Sequence, residues 1–405
     1  MTDLGENLAM RPTPSPISSE KIFIRLHKQE YAAGDVIYGL VYLWVSAPVA
    51  SQLLKISIQG FEECTFEMWE SEPNPDDVKN PIKRRVERHN KRDTIPKFEE
   101  QLASYPRGFP LGYFYYPFKY ELPQVMPGSF FCKLGESGGL KWNGMVRYII
   151  RAFIDIPGAH HDLWVEEELL IREAKPSISA LSKSVMNTQV QSCFCIPRGM
   201  IEVSAWLDKN VYRPEEKLTV HYTIRNTSAV DVQYLLIKLV RVIKLSGNEP
   251  NRHKPFIQSM SSSSKGLLHG INYDVTTLPH TKDTSTNMQV LFTLSQNGCR
   301  HNQSVNRDAN TTLTPDSGGQ TIYPTTHAYN IKCTYVLDIE VRAKWSASII
   351  LTLPILVMHS LDQQWMDWNA PIWSKKCSIV QVPGEYGVTN SEITEHFSGN
   401  PGVKI

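Results

Sequence analysis

Several residue groups in this 405-residue sequence have types and spacings suited to chemistry. Gly135-Glu136-Ser137-Gly138-Gly139 fits G-x-S-x-G, in which a serine on a sharp strand-to-helix turn attacks a carbonyl carbon. That chemistry needs an α/β sheet, and here the motif leads into an alternating apolar segment, 146–154, so a hairpin turn is expected and no catalytic serine. Cys193-x-Cys195 has the look of half a zinc site, but a zinc centre takes four ligands and no second Cys/His pair follows at finger spacing. His160 and His161 are adjacent and have no sequence-evident partner. No phosphate-binding loop or dinucleotide fingerprint occurs, so no enzyme activity, metal or cofactor is expected.

Binding is the chemistry left. The run Lys83-Arg84-Arg85-Val86-Glu87-Arg88-His89-Asn90-Lys91-Arg92 has six Lys/Arg against one Glu and reads as a basic loop between two strands. Arginine forks suit carboxylates, phosphates and lipid headgroups, so Lys83, Arg84, Arg85, Arg88, Lys91 and Arg92 form a candidate anion-binding or cargo-binding loop. A solvated charged loop is the alternative. The formal net charge is only +1, so the chain has no global field of the kind a nucleic-acid binder uses.

The elements that must position these residues are strands. Leu54, Ile56 and Ile58 alternate with Lys55 and Ser57, as Leu218, Val220, Tyr222 and Ile224 alternate with Thr219, His221 and Thr223. No long segment sustains a helical apolar period. The sequence also repeats itself: Tyr31, Ile37, Val41, Leu43, Leu54, Ile56 and Ile58 match Tyr212, Leu218, Tyr222, Ile224, Leu235, Ile237 and Leu239 at one offset, 181 residues. Two similar β-sandwiches in tandem follow. The expected division is an N-terminal tail (1–20), a first domain (21–174), a linker (175–192), a second domain (193–360) with a polar insertion (302–326), and a C-terminal tail (361–405).

The first twenty residues lack the apolar core of a secretory signal, and the longest apolar run, 347–358, is too short to span a bilayer. Seven cysteines, an odd number, fit reduced thiols. A cytoplasmic protein is expected.

Order and spacing of motifs over residues 20 to 360 resemble the arrestin family, in its arrestin-domain-containing (α-arrestin) branch. The first half carries Tyr31-x-x-Gly34-Asp35-x-x-x-Gly39-x-Val41, then Tyr116-Pro117-Phe118-x-Tyr120-x-Leu122-Pro123 and Pro127-x-Ser129-Phe130. The second carries Gly199-x-Ile201, Tyr212-x-Pro214, Ile224-x-Asn226, Tyr335-x-Leu337 and Leu353-Pro354-Ile355. The resemblance implies an all-β fold of two tandem arrestin-type, immunoglobulin-like sandwiches. It also implies a cytoplasmic adaptor, recruited to plasma membrane or endosomes, that links cytoplasmic tails of membrane proteins to endocytic, sorting or ubiquitination machinery; a constitutive coat subunit of the same fold is the alternative. Through it Glu30 and Arg172 are identified as candidate members of an interdomain polar-core lock, whose acid from the second domain falls at the insertion and is not assigned. The family's route to ubiquitin ligases through Pro-Pro-x-Tyr is missing, since no Pro-Pro dipeptide occurs and Pro383-Gly384-Glu385-Tyr386 lacks the second proline.

Overall fold

The computed structural model describes residues 21–49, 53–73, 82–137, 140–154, 163–173, 184–191, 197–214, 216–230, 232–245, 256–260, 270–274, 284–293, 322–343, 348–361 and 371–397. The first domain has one sheet of β1 (Ile22–Leu26), β3 (Val36–Val45) and β6 (Gly112–Glu121). Its other sheet runs β2 (Glu30–Ala32), β9 (Leu163–Arg172), β8 (Leu140–Ile154), β4 (Leu53–Pro73) and β5 (Ile82–Ser104), with β7 (Phe130–Ser137) also on β8.

The second domain repeats the plan. Its first sheet is β10 (Ser184–Gln191), β11 (Pro197–Leu207), β13 (Lys217–Asn226) and β17 (Thr284–Thr293). Its second runs β12 (Val211–Tyr212), β20 (Ile349–Val357), β19 (Ile331–Ala343), β14 (Val232–Leu245) and β15 (Phe256–Met260), with β16 (Gly270–Asp274) on β14 and β18 (Thr326–His327) on β19. Alternation sends Leu54, Ile56 and Ile58 inward in one copy and Leu235, Ile237 and Leu239 in the other, and one apolar cluster runs through both sandwiches.

The repeat extends to individual bonds. Ile24 pairs with Val41 as Ala205 pairs with Tyr222, and the short strands β2 and β12 each run parallel to their neighbours β9 and β20. After each short strand a carboxylate closes the turn: Asp35 accepts from the Ala32 N–H at 3.0 Å, and Glu216 from the Arg213 N–H at 2.9 Å. Lys28 and Lys209 stand beside these carboxylates at 3.6 and 2.8 Å.

Several sequence expectations are corrected. Residues 82–92 are not a loop but strand, because each backbone position pairs with β4 across a long hairpin. In the stretch read as linker, Ser184–Gln191 is β10, hydrogen-bonded antiparallel to β11. Within the insertion, Ile322, Thr325 and Thr326 are buried and lead into β18; residues 302–321 lie outside the described residues. In the expected C-terminal tail, residues 371–397 are folded. They form two 3-10 turns (Ile372–Lys376 and Gly384–Tyr386), β21 (Ser378–Ile379) parallel to β6, and α1 (Asn390–Phe397). Residues 1–20, His160, His161, Cys193 and Cys195 also lie outside the described residues. The four described cysteines, Cys64, Cys132, Cys333 and Cys377, are buried thiols.

Candidate functional site

In β2 the alternation that puts Tyr31 in the core turns Glu30 the other way, toward the second domain. Its carboxylate is only 4% exposed. Parallel pairing of Ala32 with Arg172 brings Arg172 from the end of β9 to the same place, with its Nε 4.0 Å from Glu30 Oε2. The nearer partners come from the second domain, just beyond β12 and β20. Arg213 Nη2 donates to Glu30 Oε2 at 2.7 Å, and its Nη1 donates to the His359 carbonyl at 2.8 Å. His359 Nδ1 lies 2.9 Å from Glu30 Oε1, and its Nε2 lies 2.9 Å from the Ser129 carbonyl oxygen. Both ring nitrogens thus lie within hydrogen-bond distance of an oxygen.

Burial alone would push the Glu30 carboxyl up, but hydrogen bonds from His359 and Arg213 outweigh it and hold the group below the usual carboxylate range. The cluster is one buried anion shared among a histidine and two arginines, across the junction of the domains. Removing Glu30 would strand the cationic groups around it, at a cost of about 3–5 kcal/mol.

A second polar junction holds Glu62, in β4. Its carboxylate accepts the backbone N–H groups of Tyr329, Asn330 and Ile331, at the start of β19, at 3.1, 2.7 and 2.7 Å. Burial pushes its carboxyl up against the pull of these bonds. Asn330 also donates to Asp93 of β5, Thr326 Oγ1 donates to the Gly128 carbonyl at 2.7 Å, and His327 pairs with Glu173 at 2.7 Å. Gly128 is required by close approach, since a Cβ there would stand 2.8 Å from the Thr325 carbonyl oxygen.

Sequence reasoning therefore named Glu30 and Arg172 but missed Arg213, His359, Glu62 and Asn330. Arg213 was visible inside Tyr212-x-Pro214, yet nothing local aims it at another domain.

The basic run is elsewhere, on the β4–β5 hairpin. In the cross-strand register Lys83 stands opposite Glu72, Arg84 opposite Ser71, Arg85 opposite Glu70, Arg88 opposite Glu67, Lys91 opposite Cys64 and Arg92 opposite Glu63. Four of the six basic positions thus stand opposite a glutamate position in the register. Trp69 and Val86, paired across the same arm, are exposed.

Comparison with known proteins agrees with this architecture. Residues 21–174 match the family description "Arrestin (or S-antigen), N-terminal domain", and residues 197–361 match "Arrestin (or S-antigen), C-terminal domain". Arrestin domain-containing protein A of Dictyostelium discoideum is 26% identical over 217 residues, covering 51% of this chain and 35% of that protein. Arrestin domain-containing protein 5 of Bos taurus is 23% identical over 285 residues, covering 68% of this chain and 79% of that protein. The chain thus matches about a third of the length of the first relative and most of the second. With both domains matched in order, this chain belongs to the arrestin family, in its arrestin-domain-containing branch.

Proposed function

We propose that the protein is a non-enzymatic cytoplasmic adaptor that binds cytoplasmic tails of membrane-protein cargo and links them to endocytic or sorting machinery. The observation that carries this reading is the Glu30 cluster. A joint between two domains made from one carboxylate, two arginines and a histidine can be loosened by a competing anion, whereas an apolar joint cannot. An acidic or phosphorylated tail is the cargo chemistry that fits. On this reading Glu30 and Arg172 belong to a lock whose partners from the second domain are Arg213 and His359.

The basic residues Lys83, Arg84, Arg85, Arg88, Lys91 and Arg92 are the candidate contact for cargo or for anionic lipid headgroups. Their opposing glutamates limit the electrostatic part, which leaves Trp69 to supply apolar contact. Pro383, Gly384, Glu385 and Tyr386 are folded around a 3-10 turn, with the Tyr386 ring 5.3 Å from that of Phe98, so a link to a ubiquitin ligase would be indirect. Among the described residues, no helix is long and apolar enough to cross a membrane, which fits recruitment to membranes through cargo.

Proximity labelling in cells tests the reading, comparing the unmodified chain with Arg213→Glu. Recovery of integral-membrane proteins, increased by the substitution, is expected. A set of soluble proteins, unchanged by it, would overturn the proposal.

A further inference from the structure

A two-layer sandwich ordinarily shows water the outer face of each sheet, and its strands then alternate apolar and polar. The second domain obeys this: outward positions of β13 are Thr219, His221, Thr223 and Arg225. At the corresponding positions of β3 the first domain has Tyr38, Leu40, Tyr42 and Trp44. Leu40 and Tyr42, with Phe23 of β1 and Tyr115 of β6, form a buried cluster with Cys377 and Phe397 of the chain's own segment 371–397. That cover is a built-in part of the domain. The Val380 N–H donates to the Tyr115 carbonyl at 2.9 Å, Gly387 bridges to Phe118, and Val382, Val388, Ile393 and Phe397 are buried.

The cover stops at one end of the face, where β3 finishes and β6 begins. There Trp44 stacks on Tyr113 with ring centroids 5.5 Å apart, and Trp373 lies 6.0 and 6.1 Å from the two. All three rings are half-buried. Beside them two aliphatic side chains stand in water, Ile372 at 87% exposed and Leu111 at 61% exposed. Ile372 sits in a turn closed by the Ser374 N–H on the Pro371 carbonyl and by the Cys377 N–H on the Ser374 carbonyl, and both Ser374 and Cys377 are buried. Leu111 follows the buried Phe109, whose bridge to Val49 ties the two loops of this end together. The backbone thus holds both aliphatic side chains outward.

The charge around them has one sign. Arg107, Lys375 and Lys376 are exposed, Lys21 Nζ donates to Ser46 Oγ at 2.9 Å, and Lys376 Nζ lies 5.6 Å from the centre of the Tyr113 ring. Residues 44–49, 105–114 and 371–378, which build this end, include no Asp or Glu, in a chain of net charge only +1. Tryptophan and tyrosine rings suit the headgroup level of a bilayer, exposed aliphatic side chains the acyl boundary below it, and lysine stems reach back to the phosphates. A second copy of this chain fits less well, because it would set the same cations against these.

We infer that this end of the first domain is a contact surface for an anionic lipid bilayer, with Ile372 and Leu111 inserted and Lys21, Arg107, Lys375 and Lys376 on the headgroups. The basic arm is a different place. Leu53 and Ser104 mark this end of the β4–β5 pair, and the arm continues to Pro73 and Ile82 at the other. The ligand is lipid and not cargo, so the cargo reading above can fail without affecting it.

Co-sedimentation of the full chain with protein-free vesicles tests it, comparing phosphatidylcholine alone with the same lipid carrying about 30% phosphatidylserine. Partition into the anionic vesicles at low salt is expected. Leu111→Asp with Ile372→Asp should lower it at least tenfold, since two large aliphatic side chains no longer enter the membrane. Both positions are exposed, so the melting temperature should stay unchanged. Lys375→Gln with Lys376→Gln should lower partition about fivefold for each cation and flatten its salt dependence. Quenching of tryptophan fluorescence by bromine-labelled lipid reads insertion itself, and Trp373→Phe should reduce that quenching. Equal partition of the Leu111–Ile372 variant and the unmodified chain would overturn the inference, as would partition without quenching. Binding to poly-glutamate with none to vesicles would assign the surface to an acidic protein and overturn it likewise.

Discussion

The two sandwiches share a plan down to single hydrogen bonds, yet they differ at two places that matter. Where the first has Glu30, the second at the same repeat position has Val211, and where the first has Tyr42 facing outward, the second has Thr223. Common residues such as Tyr31 and Tyr212, or Asp35 and Glu216, maintain the fold, since both copies keep them. Residues that only one copy has are the ones to examine for function. By that criterion the Glu30 cluster and the outer aromatic face stand apart from the scaffold.

The largest expected effect separates the copies at the first place. Glu30→Ala leaves Arg213 and His359 without their shared anion and should cost about 3–5 kcal/mol, whereas Val211→Ala should cost about 1 kcal/mol. Denaturant unfolding measures both, and equal losses would place Glu30 among the scaffold residues. Next in size is the outer face. Tyr42→Ala opens a buried aromatic site and should cost about 3 kcal/mol, against less than about 1 kcal/mol for Thr223→Ala.

Acidification sharpens the contrast further. His27 lies beneath α1, its ring centroid 5.0 Å from that of His396, and burial pushes its pKa down to about 4; the second copy has Asp208 at that position. A histidine whose folded pKa lies below its unfolded value favours folding fully above pH of about 6.5, and that contribution is lost as pH falls from there toward 4. Melting temperatures over that range should fall, and the fall should shrink in His27→Asn; an unchanged pH profile in the variant would mean that His27 does not set it. The smallest effect belongs to the arm. Arg84→Gln, Arg85→Gln, Arg88→Gln and Arg92→Gln together should weaken binding to acidic liposomes at low salt by only a few-fold, with stability nearly unchanged, because glutamates already face three of these positions. A loss of binding at all salt concentrations would mean that the arm supplies the main contact.

Much of the fold was legible because strand alternation repeats at a single offset, and a repeat of whole domains is hard to produce by chance. Glu30 and Arg172 were legible only through family resemblance, since a lone acid before a tyrosine looks like any strand residue. Arg213 and His359 were not legible as partners, because they lie 183 and 329 residues from Glu30 and only the packing of one domain on the other brings them together. The basic run was misread because a two-stranded arm with charge on both strands has no apolar alternation to reveal it. The folded C-terminal segment escaped for a related reason, being a short helix with two anchors. The signal that could have found it lay elsewhere, in the apolar outward positions of β3, which needed a cover.

The two domains meet at Glu30 chiefly through Arg213, with Arg172 as a weaker neighbour. Two double-mutant cycles on unfolding free energy test it directly, one pairing Glu30→Gln with Arg213→Gln and the other pairing Glu30→Gln with Arg172→Gln. The geometry, 2.7 Å for the first pair and 4.0 Å for the second, predicts a coupling of about 1.5–3 kcal/mol for Glu30 with Arg213 and a smaller one for Glu30 with Arg172. A Glu30–Arg213 coupling within about 0.3–0.5 kcal/mol of zero, in variants that fold, would contradict it.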